Sequence, residues 1–453
     1  MKPLSALAAM FFALSASWAA GESKPAAPDM VFIIADDLGY GDVAFHGGLA
    51  PTPHLDRLVR EGVELTQHYA APVCSPTRAA LMTGRYWSRF GVTSPQNERA
   101  LPWDTMTLAR ALKSVGYDTC LVGKWHLGSK PEWGPNHFGF DHSYGSLAGG
   151  VGPWNHFYKK GPYQQTWHRN GELITETGHV TDLLAAEAVR WIESRSERPF
   201  FLYVPFTAVH LPLKEPAEWL QRVPQEIADE VPRHYAACVM HLDAAVGQIV
   251  AALERIGRRD NTLLVFTSDN GGSWAENHDP KYPEDSYPRG KLPGNNTPWR
   301  GQKGQLYEGG IRVPALVNWP ARLKPGKWNA PWHIADWMPT LCALAGYSPD
   351  QDLKWDGVDA SSALLDLKAP ADRSVYWAAP GFRARAIRHG DWKLIASQDG
   401  PQQRLELFDL AHDPQETRNQ AAAEPSKVAE LLQDLNLASA RDRDSVAGDE
   451  PQR

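Results

Sequence analysis

Short runs of apolar and β-branched residues recur along the chain and predict buried strands. The clearest runs cover residues 31–35, 200–206 and 262–267, and weaker ones cover 119–122 and 313–319. Apolar side chains occupy successive positions in these runs, which is typical of strands that are covered on both faces. The pattern therefore predicts a large, mostly parallel sheet inside the fold.

Between these runs the apolar positions change to helical spacing. Helices are predicted over residues 104–115, 182–194 and 235–256. In the last of them, Val239, Leu242 and Val246 recur at intervals of three and four, which places them on one apolar face. Alternation of strands and helices predicts an α/β fold, an α/β/α sandwich built on a large, mostly parallel mixed sheet.

After about residue 365 the pattern changes to short strands separated by turns. The strand-like pieces cover 375–377, 384–387, 392–395 and 405–408, and a helix is predicted over 425–437. This order is typical of a small antiparallel sheet that carries one helix. We therefore predict one large domain over residues 28–360 and a C-terminal α+β subdomain over 361–453.

The first twenty residues have the layout of a cleavable export signal. Lys2 supplies a positive charge, residues 4–16 are apolar, and small residues follow at Ser17, Ala19 and Ala20. The stretch is too short and wrongly flanked for a membrane-spanning helix, and a buried N-terminal helix is the alternative. We expect a signal peptide over residues 1–20 and an exported protein, periplasmic or secreted, without stable membrane association.

The composition is that of an ordinary globular protein with a mild excess of acid. Lysine and arginine number 46 against 53 aspartates and glutamates, for a net charge of −7, which argues against bulk nucleic-acid binding. The four cysteines, Cys74, Cys120, Cys238 and Cys342, match no zinc-binding spacing. The sequence leaves open one disulfide among the last three.

Two polar pairs follow two of the predicted strands directly. Asp36–Asp37 comes after the first strand, and Asp269–Asn270 comes after the strand over 262–267. Ligands collect at the carboxyl ends of strands in open α/β sheets, and carboxylate and amide oxygens suit calcium or magnesium better than zinc. Either pair alone is equally compatible with a cap or a turn, but together they favour one bound cation.

Cys74 begins the segment Cys-Ser-Pro-Thr-Arg, which runs into a helical pattern. Amide hydrogens and the helix dipole at such an N-terminus favour an anionic group. They also favour a reactive thiolate, and taken alone the segment is compatible with a structural cysteine.

Several segments together give the chain a family resemblance. They are Cys74–Arg78 with Leu81–Arg85, Gly123–Gly128, Ala208–His210, Ser268–Gly272, Arg300–Lys303, Glu308–Gly310, and the tail segments Ala386–Leu394 and Leu407–Leu410. In this order they resemble the type I, formylglycine-dependent sulfatases of the alkaline phosphatase superfamily. The chain is most similar to the arylsulfatase B, or N-acetylgalactosamine-4-sulfatase, branch and its bacterial relatives. The resemblance implies an alkaline-phosphatase-like fold and a sulfuric ester hydrolase.

The resemblance implies that a formylglycine-generating enzyme oxidises Cys74 to an aldehyde after synthesis. One hydroxyl of the hydrated aldehyde attacks sulfur and displaces the alcohol, which leaves a covalent sulfate on residue 74. The second hydroxyl then loses its proton, and the adduct collapses to the aldehyde and free sulfate.

The resemblance also assigns the groups around residue 74. One calcium ion is held by oxygen donors, which are those of Asp36, Asp37, residue 74, Asp269 and Asn270. Arg78, Lys124 and Lys303 hold the diol and the sulfate oxygens. His126 is expected as the base for collapse of the adduct and His210 as the acid for the leaving oxygen, although the sequence leaves open which histidine does which. Each histidine or lysine alone is as compatible with packing or solvation.

The expected substrate is a sulfated carbohydrate, with N-acetylgalactosamine- or galactose-type sulfate favoured. Loops that set specificity are predicted over residues 148–167 and 274–300. Trp154, Trp274 and Trp299 are candidates for stacking on sugar rings, or for ordinary packing. The alternatives are a phosphonate monoester or phosphodiester hydrolase of the same superfamily, and a non-catalytic protein that binds sulfated glycans.

Overall fold

The computed structural model describes residues 27–284, 286–368, 372–399 and 402–448. The predicted signal peptide lies outside these residues. The strands are β1 Asp29–Ala35, β2 Val63–Leu65, β3 His68–Tyr69, β4 Asp118–Lys124, β5 His142–Ser146, β6 Trp167–Arg169, β7 Glu172–Leu173, β8 Phe200–Pro205, β9 Thr262–Ser268, β10 Ala315–Asn318, β11 Gly326–Trp328, β12 Trp332–His333, β13 Ser374–Ala378, β14 Ala384–His389, β15 Trp392–Asp399 and β16 Gln402–Asp409. The helices are α1 Pro53–Arg60, α2 Cys74–Thr83, α3 Leu108–Ser114, α4 Val180–Glu193, α5 Ala217–Leu220, α6 Glu230–Arg255, α7 Glu308–Ile311, α8 Trp337–Ala345, α9 Ser361–Asp366 and α10 Pro425–Ser439.

The large sheet has ten strands in the order β11-β2-β10-β9-β1-β8-β4-β5-β6-β7. Its centre is parallel, because β1 pairs in parallel with both β9 and β8, and β4 pairs in parallel with β8 and β5. Antiparallel pairs occur toward the margins, where β10 joins β9 and β6 joins β5. The predicted mixed, mostly parallel sheet is confirmed.

Helices cover both faces of the sheet, and β1 shows why its sequence is continuously apolar. Phe32 and Ile34 belong to one core cluster, which also contains side chains of α2, α3 and α8. Val31 and Ile33 belong to the opposite cluster, with side chains of α1, α4 and α6. Side chains on both faces of β1 are therefore buried against helices. The predicted α/β/α sandwich is confirmed.

The helix α6 is long and apolar enough to span a membrane by length and composition. In the fold, 78% of its apolar window is buried inside the protein. Its apolar residues pack on the sheet in the second core cluster, so the fold accounts for them as those of a core helix.

A second sheet, β13-β14-β15-β16, is antiparallel throughout. On β13, Val375 and Trp377 face the main core, whereas Tyr376 faces α10 and its residues Leu431 and Leu435. The predicted small sheet with one helix is confirmed. The domain boundary at residue 360 remains a prediction.

Two local expectations are refined by the structure. The helix predicted over 104–115 begins only at Leu108, because the Thr107 side chain accepts a hydrogen bond from the Arg110 amide and so caps the first turn. All four cysteines are buried and free, so no disulfide joins Cys120, Cys238 or Cys342.

Candidate active site

The two polar pairs lie side by side at one edge of the large sheet. Residues of β1 and β9 are in parallel register, with Ala35 opposite Ser268 as the last pair. The next residues on both strands, Asp36 and Asp269, are therefore neighbours, and the Asp37 amide donates to Asp269 Oδ1 at 3.2 Å. All of these carboxylates and the Asn270 amide are buried. The sequence prediction that the pairs meet agrees with this placement.

The first residue of α2 brings Cys74 to the same place. Its Sγ and one carboxylate oxygen from each of Asp36 and Asp269 all lie within 4.8 Å of one another. Thr77, one turn along the helix, fixes this approach by donating from Oγ1 to the Asp269 carbonyl at 2.6 Å. Burial raises the pKa of the Cys74 thiol. In the predicted formylglycine, oxygen atoms would take the place of this sulfur.

Three cations surround the carboxylates. Arg78 Nη2 lies 2.8 Å from Asp269 Oδ2 and Lys124 Nζ lies 2.5 Å from Asp36 Oδ2. Lys303 Nζ lies 2.7 Å from an Asp37 carboxylate oxygen. Three negative and three positive side chains sum to zero, so one divalent cation would give the site a net charge of about +2 and attract an anionic ester.

The charges shift the pKa values of the two neighbouring aspartates in opposite directions. Burial, followed by repulsion from Asp269, raises the pKa of Asp36 to about 8. Burial alone would also raise the pKa of Asp37, but Lys303 and His210 outweigh it and hold that pKa at about 2. Asp36 is thus the carboxylate whose ionisation most requires an added positive charge.

The donor set fits a hard cation. Asp36 Oδ1 and Asn270 Oδ1 are buried, and neither has a hydrogen-bond partner within the part of the chain that the structure describes. Buried oxygens are normally paired, so these two lone acceptors call for a ligand. Together with Asp37 and Asp269 they form an all-oxygen set, which is the kind that calcium and magnesium prefer.

The two predicted histidines flank the same centre. His126 follows β4 with a left-handed backbone (φ 59°), and both its ring nitrogens lack hydrogen-bond partners among the described residues. His210 Nε2 lies 3.8 Å from Asp37 Oδ2, and its Nδ1 is 2.5 Å from the Leu211 carbonyl, to which it donates. Burial lowers the pKa of both histidines, and the next largest influences are Lys124 at His126 and Lys303 at His210.

Residues 300–308, which we call the lysine loop, are held by a residue of the C-terminal region. Glu416 accepts a 2.7 Å hydrogen bond from Arg300 Nη1 on its carbonyl, and a 2.6 Å bond from the Glu308 amide on Oε2. The fully buried Lys393 of β15 bridges Glu308, at 2.9 Å, and Glu416, at 2.8 Å. The lysine loop is therefore clamped at both ends, which fixes Lys303 against Asp37.

All predicted site residues thus come together, but the structure adds groups that sequence reasoning missed. Gly149 and Gly150 pass against the two histidines, and the buried Tyr282 lies beside them. Of the three candidate tryptophans, Trp154 and Trp274 are 40% and 47% exposed. Trp299 is half-buried, with the Arg312 guanidinium 3.9 Å from its ring centre, and so serves packing.

The fold brings Cys74, three cations and a set of oxygen donors to one sheet edge, and the similarity to known sulfatases places the chain in the class of sulfuric ester hydrolases. The chain belongs to the sulfatase family. Residues 28–347 match the family model described as Sulfatase, and residues 300–441 match the model described as N-sulphoglucosamine sulphohydrolase, C-terminal.

Curated relatives and solved structures agree with this assignment. The chain is 31% identical to arylsulfatase J of Mus musculus, over 92% of this chain and 76% of that protein. It is 30% identical to an N-acetylgalactosamine-6-O-sulfatase of Bacteroides thetaiotaomicron, over 91% and 93% of the two chains. The crystal structure of Ps i-CgsB in complex with k-i-k-neocarrahexaose superposes with a TM-score of 0.83 at 31% identity, covering 93% and 94% of the chains.

Proposed function

We propose that this chain hydrolyses the sulfate ester of a carbohydrate to an alcohol and inorganic sulfate. The observation that carries the proposal is the grouping of Cys74 with Asp36 and Asp269, their atoms all within 4.8 Å, beside three cations. N-acetylgalactosamine- or galactose-type sulfate is the favoured substrate. Support for a saccharide comes from the similarity to the N-acetylgalactosamine-6-O-sulfatase and to Ps i-CgsB, whose structure holds an oligosaccharide.

Residue 74, oxidised to formylglycine, would supply the hydroxyl that attacks sulfur. Calcium, held by Asp36, Asp37, Asp269 and Asn270 together with residue 74, would supply Lewis-acid charge there. The rest of the chemistry falls to the encoded side chains.

The three cations bind and hold the ester. Arg78 is fixed by its bonds to Asp269 and to the Lys124 carbonyl, so its charge does not move during the reaction. Lys124 and Lys303 present ammonium groups to the same space. The charge of the sulfate oxygens, and the charge that develops on the bridging oxygen as the ester bond breaks, are stabilised by groups that are already in place.

The two histidines are suited to opposite proton transfers. Burial, with Lys124 and Arg78 next to it, keeps His126 unprotonated and ready to accept the proton of the second hydroxyl. Burial and Lys303 lower the pKa of His210, whereas Asp37 opposes them, and the negative charge of a bound ester would add to the effect of Asp37. We assign His210 Nε2 as the donor of the proton to the leaving oxygen and His126 as the base.

We further propose that the protein is exported and that a formylglycine-generating enzyme activates it. The arrangement of residues 1–20 supports export, and the segment Cys74–Arg78 supports the modification. Mass spectrometry of the mature N-terminus and of the peptide that contains residue 74 tests both.

The function is tested by sulfate release from a defined panel. The panel contains the 4- and 6-sulfates of N-acetylgalactosamine, galactose 6-sulfate and glucosamine 6-sulfate, with 4-nitrophenyl sulfate as a substrate that carries no sugar. We expect the highest kcat/KM on one of the first three, and none with Cys74→Ala. Failure to release sulfate from any saccharide would reject the carbohydrate substrate, and binding without turnover would favour a non-catalytic glycan-binding role.

A phosphodiester substrate tests the remaining alternative, a phosphonate monoester or phosphodiester hydrolase. A phosphonate monoester hydrolase of Agrobacterium radiobacter shares the fold at a TM-score of 0.61 and 21% identity, which shows similarity of architecture alone. We expect bis(4-nitrophenyl) phosphate to be a poorer substrate than the best sulfate ester, and the reverse order would favour the phosphonate monoester or phosphodiester hydrolase.

A further inference from the structure

We propose that Tyr282 is a substrate-binding residue whose hydroxyl contacts an oxygen of the sugar next to the sulfated carbon. The inference rests on the proposed carbohydrate sulfatase function. It adds a residue that would contact the sugar itself, beyond the groups that contact the sulfate.

The first observation is an unpaired hydroxyl. Tyr282 is 1% exposed, and its Oη has no hydrogen-bond partner within the described ranges of the chain. A buried hydroxyl without a partner costs about 1–3 kcal/mol, so such groups are usually reserved for a ligand or an ordered water.

The second observation is where this hydroxyl lies. A Cβ atom built on Gly150 would be 2.9 Å from Tyr282 Oη and 3.2 Å from His210 Nδ1. A Cβ atom built on the adjacent Gly149 would be 2.5 Å from His126 Nε2. The Tyr282 hydroxyl therefore lies against the same glycine as His210, which we assign to the leaving oxygen, and His126 lies against the adjacent glycine.

The tyrosine is held in position before any substrate arrives. Its ring packs edge-on against Tyr158, with 6.1 Å between centroids, and Lys159 Nζ lies 5.8 Å from its centre. The Lys160 amide donates to the Lys281 carbonyl at 2.6 Å, which joins the neighbouring backbone segments. A fixed donor loses little conformational entropy on binding, so its hydrogen bond contributes to affinity and orientation.

Burial also determines which hydrogen-bonding role the phenol takes. It raises the pKa of Tyr282 well above 10, with further increases from Tyr158 and Asp279, so the group keeps its proton. A protonated phenol donates one hydrogen bond, and the matching groups on a sugar are a ring hydroxyl or an acetamido carbonyl.

The test is Tyr282→Phe, which removes one oxygen atom and preserves the ring. We measure kcat/KM on the panel saccharide that the wild type hydrolyses fastest, and the inhibition constant of inorganic sulfate, which occupies the sulfate position without a sugar. We expect kcat/KM to fall about tenfold and the inhibition constant to change less than about twofold. The matched control is Tyr376→Phe, which removes a buried phenol hydroxyl in the C-terminal sheet, bonded there to Asp442, and should alter neither value.

Two results would overturn the inference. One is unchanged kcat/KM on the saccharide, and the other is an equal loss of saccharide turnover and of sulfate binding, which indicates a general structural role. Failure of the proposed function gives a different result in the wild type. The wild type would then hydrolyse 4-nitrophenyl sulfate or a phosphodiester but no saccharide of the panel.

Discussion

Replacing Lys393 by methionine should both destabilise the protein and impair the lysine loop. Lys393 is fully buried between Glu308 and Glu416, and the buried Arg312 lies 3.4 Å from Glu308. Arg388 also acts on Glu308, whereas the ion pair that Glu416 makes within the described residues is the one with Lys393. Methionine fills a similar volume but leaves the Glu416 carboxylate without its cation, and breaking a buried pair in this way costs about 3–5 kcal/mol of unfolding free energy.

The stability lost in Lys393→Met should depend on pH, because Glu416 titrates near neutral pH. Burial, opposed by Lys393, raises the pKa of Glu416 to about 7, above its ordinary value of 4.5. Ionisation of such a group destabilises the folded state, so stability falls as the pH rises from 4.5 to the folded pKa. Without Lys393 that pKa rises further, and the deficit of the variant should grow above about pH 7 by up to about 1.4 kcal/mol per pH unit.

The assay is urea unfolding followed by tryptophan fluorescence at about pH 6 and about pH 8.5, with sulfate release measured at a temperature where the variant stays folded. The double variant Lys393→Met/Glu416→Gln removes the carboxylate that the single variant leaves without a cation and should recover at least half of the lost stability. An equal deficit at both pH values, with no recovery in the double variant, would refute the electrostatic reasoning. We expect kcat/KM of the single variant to fall tenfold or more, because a displaced Lys303 no longer meets the ester.

Other outcomes follow from the same structure. Cys74→Ala should abolish sulfate release while leaving the thermal midpoint nearly unchanged, and mass spectrometry of wild-type peptide 74 should show an aldehyde in place of the thiol. A chelator should lower both activity and the thermal midpoint, and calcium at about a hundredfold excess over its Kd should restore about 2.7 kcal/mol. Burial would lower the pKa of His241, but Asp182 and Glu215 raise it to about 9. The stability that protonated His241 contributes is therefore fully present below about pH 6.5 and is lost as the pH rises through about 9. This contribution is at most about 3 kcal/mol. His241→Gln should flatten that part of the urea-unfolding pH profile, and an unchanged slope would argue against the ion pair.

The sheet and its polar edge were predictable because both depend on local signals. Residues 31–35 are apolar at every position, which indicates burial on both faces, and Asp36–Asp37 follow immediately. Parallel register then places any two such strand ends at the same edge, so the meeting with Asp269 follows from topology.

The groups that the sequence did not reveal depend on contacts between distant segments. Lys393 and Glu308 both lie in segments that carry the family resemblance, but they are 85 residues apart, and nothing in those segments indicates that the two side chains pair. Tyr282 lies in a stretch with no regular periodicity, and its burial arises only when residues 158–160 pack against it. Long-range packing decides both cases, so composition and spacing carry no signal of them.

The glycine pair at 149 and 150 also constrains how this enzyme can diverge. Any side chain there would collide with His126 or press on His210 and Tyr282, so this wall of the pocket has almost no tolerated substitutions. Mutations that adapt descendants of this chain to a new sugar should therefore accumulate elsewhere, and the exposed Trp154 and Trp274 in the predicted specificity loops are candidates.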